Sequence, residues 1–435
     1  MVNLTLTCCL FFAFLLLNTR LKFLSLKPSF LAIFLGLAIF IQILPGLLMV
    51  SYFDAPLSFG AQNLISRGVL DYTYFITISS LLILFLCLYV FSFFSNLDFN
   101  IYKINTNYRV SVLLTVLSVI LIVVKVLSVG DIPLFLAISG DVAEANYVKS
   151  LILKNQIGVG GFLIGYIFKY FPIASLIYVL IHYIQNRSKL NESSLKSNHF
   201  YRRARLILFF NFSFMVFYSL YDMRKSALVF ILFIICAVYM TIGRWKLALA
   251  LPAIGLAILI VNFMLLHGVS FELVLQKVVN RVFIGQIEGS YFIYEALTPS
   301  FDYLYYGMPL VSHLGKLAVD PSAEVISYFF PTAGESWVNS NTYMQAHAWA
   351  IFSNLSILIA PLLVSLNILF IALLARIFST VYGDFAKVVY ITIIMTLPIN
   401  NDFSYFLYFK PVLCFLILSL LYMFWISITS ALRLK

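Results

Sequence analysis

"LILFFNFSFMVFYSLYDMRKSALVFILFIICAVYM", Leu206 to Met240, decides how the chain is threaded. Two apolar runs flank Asp222, Arg224 and Lys225. Read as one long span, the stretch moves everything after it to the opposite side of a membrane. Read as two spans, 206–221 and 226–242, it is a tight hairpin with a charged tip. The charges elsewhere in the chain favour the hairpin, for reasons that begin with composition.

Of 435 residues, 63% are hydrophobic and only 10% are charged. Soluble proteins carry about 25% charged residues, and no single core could hide this much apolar surface. The composition therefore predicts a polytopic membrane protein. Backbone groups in lipid must be satisfied internally, which leaves helices or closed barrels. Long uniform apolar runs, without the alternation of barrel strands, select helices and an all-α fold. A spanning helix needs about 20 mainly apolar residues. About eleven such segments (10–12) are expected, near 4–18, 30–50, 74–96, 110–129, 160–184, 206–221, 226–242, 247–266, 349–375, 386–400 and 411–431. All five cysteines fall inside apolar runs, which disfavours a disulfide framework or a zinc site.

Orientation follows from the bias of Lys and Arg towards cytoplasmic loops. One set of connections holds 17 cations and three acids, including Arg20, Lys22, Lys27, Arg202, Arg203, Arg205, Arg244, Lys246, Arg433 and Lys435. The other set holds nine cations and 14 acids. The first set is cytoplasmic, which places the N-terminus outside and the C-terminus inside. Arg244, Lys246, Arg433 and Lys435 agree with this only if 206–242 is two spans. The net charge of +11 is then mainly an orientation signal, and no nucleic-acid partner is expected. One membrane domain, 1–435, is read, with a large external loop at 267–348 before the last three spans.

Within that loop, "FELVLQKVVNRVFIGQIEGSYFIYEAL" (Phe271–Leu297) reads as helix, with Gly285 and Gly289 as candidate break points. Arg281, Glu288 and Glu295 are seven apart and would share one face of an unbroken helix, drifting about 20° per step. Downstream, Tyr303, Tyr305, Tyr306, Tyr328, Trp337 and Tyr343 concentrate on the outward side. They suit an aromatic belt or stacking platforms for sugar rings.

Arg224 and Lys225 face outside, against the orientation bias. A cation near the outer interface costs free energy unless paired or functional. Either Arg224 pairs with Asp222 while Lys225 snorkels, or Arg224 binds a lipid-borne phosphate through its bidentate fork. Arg281 is a second such clamp, or a salt-bridge partner of Glu288. His347 is the candidate base for a sugar hydroxyl, with Glu335, Asp320 and Asp402 as rivals. Lys225, Glu288, Glu295, Tyr291, Trp337, Tyr343 and Asn341 are candidate substrate-binding residues. No P-loop, G-x-S-x-G elbow, H-E-x-x-H or Cys/His metal spacing occurs. No Asp-x-Asp pair occurs either, so no metal and no cofactor are expected.

Four stretches carry a family resemblance: "GDIPLFLAISGD" (130–141), "DMRKSALVFILFIICAVYM" (222–240), "NRVFIGQIEGSYFIYE" (280–295), and "SWVNSNTYMQAHAW" (336–349) leading into "LSILIAPLL". With the topology, they resemble the bacterial oligosaccharide repeat-unit polymerases, the O-antigen polymerase family. The chain departs from the spaced Arg-to-Gly pattern of some members at both Arg224 and Arg281. The resemblance implies a metal-independent, GT-C-like glycosyltransferase in the bacterial inner membrane. Its partners would be undecaprenyl-diphosphate-linked oligosaccharide, membrane lipid, a chain-length regulator and a flippase. Its reaction would extend a surface polysaccharide on the outer face. An O-antigen ligase or another polyprenyl-linked-sugar transferase is the nearest alternative. A lipid-linked oligosaccharide flippase is the alternative of a different class.

Overall fold

A computed structural model describes residues 2–57, 63–153, 162–188, 195–221, 225–267, 270–309, 311, 318–331, 341–400 and 402–431. The described chain is helical throughout. Along the sequence run α1 (Val2–Leu21), α2 (Phe30–Leu35), a π-helical segment (Gly36–Ile43), α3 (Leu44–Phe53), α4 (Arg67–Phe94), α5 (Tyr108–Leu127), α6 (Pro133–Ile138), α7 (Val142–Leu153), α8 (Phe162–Ser188), α9 (Leu195–Leu220) and α10 (Lys225–Thr241). Then come α11 (Trp245–His267), α12 (Phe271–Val282), α13 (Glu288–Ala296), α14 (Pro321–Phe329), α15 (Met344–Phe352), α16 (Ser356–Tyr382), α17 (Phe385–Met395), α18 (Ser404–Leu407) and α19 (Lys410–Ala431).

Seven helical runs among the described residues are long and apolar enough to cross a membrane: Phe30–Phe53, Arg67–Phe94, Tyr108–Leu127, Ile164–Ser188, His199–Leu220, Met344–Tyr382 and Lys410–Ile428. The other four expected spans coincide with shorter apolar helices, Thr5–Leu21, Leu228–Thr241, Trp245–Ala257 and Phe385–Met395. The stretch 206–242 forms two helices, α9 and α10, packed against each other. It is therefore not one continuous helix.

The chain folds as two compact units. The first comprises Met1–Asp98, Ile258–Ala372 and Thr396–Val412. The second comprises Phe99–Ala257, Leu373–Met395 and Leu413–Lys435.

In the second unit, α5, α8 and α9 pack together, with α17 against α8. Buried Asn211 on α9 donates from Nδ2 to Ser175 Oγ at 2.8 Å and to Thr115 Oγ1 at 3.1 Å, tying three helices. Phe385 packs its ring on Tyr422, 4.3 Å between centroids, and on Phe171, 5.9 Å.

The first unit is built on α1 against α4. Phe14 meets Phe40 and Phe23 edge-on, with centroids at 4.9 and 5.2 Å. Gly46, in the first turns of α3, touches the backbone of Phe283; a Cβ there would lie 2.9 Å from the Phe283 carbonyl carbon. This contact fixes the turn between α12 and α13 against α3. The run Met344–Tyr382 is broken at Ser353, whose φ of 51° and ψ of −138° are not helical. Positive φ is strained for a residue with a side chain.

Candidate functional site

Both readings of the outer loop, as reaction centre or as aromatic belt, turn on how 271–352 folds. The stretch 271–297 forms two short helices, broken at Gly285, one of the two candidate break points. α12 ends at Val282, a single 3-10 turn covers Ile284–Gln286, and α13 starts at Glu288, with Gly289 inside it. Arg281, Glu288 and Glu295 therefore do not share one continuous helical face. The seven-residue spacing assumed an unbroken helix, and the turn at 283–287 breaks it.

α15 is anchored at its start from two sides. Tyr343 N donates to Ser290 Oγ at 3.1 Å, and Met344 N donates to the Ile399 carbonyl at 2.9 Å. Every residue from Met344 to Ile351 is buried, including His347 at 3% exposure. His347 Nε2 has no hydrogen-bond partner among the described residues. Leaving such a group unsatisfied costs about 1–3 kcal/mol. Its nearest charged neighbour is Asp320 Oδ1, at 3.9 Å. That is too long for a hydrogen bond but close enough for strong attraction to an imidazolium.

Asp320 is held in place by its own local chemistry. It is the N-cap of α14, with Pro321 in the first turn. Its Oδ1 accepts from Ser322 N at 2.9 Å and Ser322 Oγ at 2.8 Å. Asp is a favoured N-cap because its side chain satisfies an orphan amide, so capping also aims the carboxylate.

Tyr306 lies between this pair and a second cluster. Its ring centroid is 6.0 Å from that of His347. Burial, then the charges of Asp320 and Asp402, then a hydrogen bond to Asp320, push the Tyr306 phenol above its usual range. It stays protonated and donates. Asp402 Oδ1 accepts from Ser404 N at 2.8 Å. Buried Lys410 donates from Nζ to buried Ser404 Oγ at 3.2 Å. Gly307 closes the cluster. It has φ of +67°, and a Cβ there would sit 2.8 Å from Lys410 Nζ and closer still to Ser404 Oγ. Backbone and steric demands both require glycine. Asp320 and Tyr306 thus both border His347, and the charge of Asp402 reaches both Tyr306 and Lys410. Such a cluster can orient a base and carry charge.

The other candidate residues are placed as follows. Tyr291 is fully buried, its hydroxyl 3.0 Å from Ser51 Oγ. Tyr343 is fully buried, its hydroxyl 3.4 Å from Ser80 Oγ. Neither ring offers a stacking face. Asn341 gives its carbonyl to Gly289 N at 3.1 Å. Glu288 is buried at the start of α13. Glu295 Oε2 accepts from Ser66 N at 2.8 Å and Ser66 Oγ at 2.9 Å, docking the start of α4. Arg281 is exposed, with no ion-pair partner among the described residues. Lys225 is the first residue of α10, in the second unit. Arg224, Trp337 and the rival base Glu335 lie outside the described residues. Of the remaining aromatics, Tyr328 is 69% exposed while Tyr303 is buried, a mixture of platform and packing.

Sequence reasoning named His347, Asp320 and Asp402 as rival bases; the fold brings them into one neighbourhood. It gave no role to Gly307, Ser404 or Lys410. The available signal was Lys410 itself, one of only nine outward cations, at the start of the last span. Among the described residues, no group of three or more His, Cys, Asp or Glu is placed to hold a metal ion.

No family model, no curated protein and no solved structure matches the chain.

Proposed function

We propose that the chain is a glycosyltransferase that polymerises lipid-linked oligosaccharide units into a surface polysaccharide, on the outer face of the bacterial inner membrane. The observation that carries the reading is the buried His347 Nε2, without a hydrogen-bond partner among the described residues and 3.9 Å from the capped Asp320 carboxylate. A hydroxyl nucleophile needs a base that can accept its proton, and a nearby carboxylate stabilises the imidazolium that results.

In the step proposed, the terminal hydroxyl oxygen of one lipid-linked unit attacks the anomeric carbon of the glycan held on undecaprenyl diphosphate. The hydroxyl proton goes to His347. The bond from the anomeric carbon to the diphosphate oxygen breaks, and the diphosphate leaves with its electron pair. Its charge calls for fixed cations; Arg281 and Arg224 are assigned that role. The leaving group is already activated, so the step needs no nucleotide.

The test uses purified full-length protein and purified lipid-linked repeat units, with product length read on gels. His347→Ala should abolish chain extension while leaving the thermal unfolding temperature close to that of the parent. Undiminished extension by His347→Ala removes it as the base. Arg281→Ala and Arg224→Ala should each shorten the product; full-length product from both removes the clamp.

A further inference from the structure

We propose that α12 is an interfacial helix, lying along a membrane–water boundary with its apolar face in lipid and Arg281 at the depth of lipid phosphates, the depth at which a polyprenyl diphosphate also lies. The inference does not depend on the reaction proposed above.

Each helical residue turns about 100° from the last. On that basis Val274, Val278, Phe271, Val282, Leu275 and Val279 fall on one stripe about 140° wide. Glu272, Gln276, Asn280, Lys277 and Arg281 fall on the rest, with Leu273 as the sole apolar exception. Such a stripe normally packs on a core. Here only Val274 is fully buried. Phe271, Leu275 and Val282 keep 52%, 44% and 36% of their surface exposed.

The occupant follows from position and charge. α11, an apolar helix, ends at His267, and α12 begins at Phe271. An apolar helix followed within a few residues by an amphipathic one suits a chain that leaves an apolar slab and then lies along its boundary. Arg281 borders the stripe, exposed and without an ion-pair partner among the described residues. An amphipathic helix with apolar residues on one face and cations on the other suits the headgroup boundary, where the apolar face sinks about 5–10 Å. Arginine suits lipid phosphate because its fork bonds two oxygens at once.

The experiment is spin-label depth measurement on the full-length protein in nanodiscs of phosphatidylethanolamine and phosphatidylglycerol. The exposed native cysteines, Cys8 and Cys9, are replaced by serine. Labels are placed at Leu275→Cys on the stripe and Gln276→Cys on the polar face. Oxygen, which partitions into lipid, should relax the Leu275 label severalfold more than a water-soluble nickel chelate does; the Gln276 label should show the reverse. Equal nickel access at both positions overturns the proposal, because the stripe then faces water. Protection of the Leu275 label from both reagents also overturns it, because protein, either a second copy or another part of the chain, then covers the stripe. Adding Arg281→Gln should move the Leu275 label towards water in nanodiscs; an unchanged depth removes Arg281 from headgroup binding. Leu275, Gln276 and Arg281 are all exposed, so none of the three substitutions is expected to impair folding.

Discussion

Replacing Asp320 by asparagine isolates its charge from its structural work. Asparagine caps helices about as well as aspartate, so α14 should keep its start and Ser322 its partner. What disappears is the negative charge 3.9 Å from His347 Nε2. Two unit charges at that distance attract by about 4 kcal/mol at an effective dielectric of about 20. Asp320 is 17% exposed, and the amide dipole retains part of the attraction, so a loss of about 2–4 kcal/mol is the reasonable range. At 1.36 kcal/mol per tenfold, the extension rate should fall about 30- to 1000-fold. The assay is single-turnover extension of purified lipid-linked units, run beside thermal unfolding. Asp320→Asn should unfold near the parental temperature, whereas Asp320→Ala should also lose about 1 kcal/mol of capping. An Asp320→Asn protein that extends chains at the parental rate refutes the assignment of Asp320 to His347. A slow Asp320→Asn protein that is also strongly destabilised refutes the separation of charge from cap.

Further outcomes are expected. The Tyr306 phenol is held above its usual range by burial and then by carboxylate charge. The unfolded chain loses this proton near pH 10 while the folded chain keeps it. Stability should therefore be complete below about pH 10 and fall as pH rises beyond it; Tyr306→Phe should flatten that alkaline slope in unfolding measurements. Gly307→Ala combines left-handed backbone with a clash at Ser404 and Lys410, so it should cost more than about 1 kcal/mol and lower the unfolding temperature. Asn211→Ala removes two interhelical bonds in the second unit; at about 0.6 kcal/mol each in membrane helices, the loss should be near 1 kcal/mol, with chain extension unchanged. A cysteine at Ser226, in the hairpin between α9 and α10, should react with an impermeant reagent added outside; no labelling there contradicts the threading.

The helical class and the position of each apolar segment were legible because long apolar runs in lipid admit few structures. Span counting was less secure. Phe385–Met395 is shorter than the expected 386–400. α15 begins at Met344, upstream of the expected start at 349, because buried Gln345 and His347 read as polar loop. The site was legible only as a list of rivals. Asp320 and His347 are brought together by an N-cap and a docked half-helix, and neither contact leaves a spacing to read. Gly307 meets Lys410 across about a hundred residues of sequence, and only the folded chain joins them. The face shared by Arg281, Glu288 and Glu295 failed because periodicity was read through a break at 283–287.

The break at Ser353 has a consequence for hydropathy counting. At about 1.5 Å per residue, the 39-residue run Met344–Tyr382 would be about 58 Å long if straight, nearly twice the roughly 30 Å of hydrocarbon it would have to cross. With the chain turning at Ser353, α16 alone reaches about 40 Å and can cross tilted, while α15 reaches only about 13 Å. Hydropathy sees one span, but the chain holds a crossing helix and a stub too short to cross. His347 sits on the stub, so moving it in depth requires no crossing helix to slide.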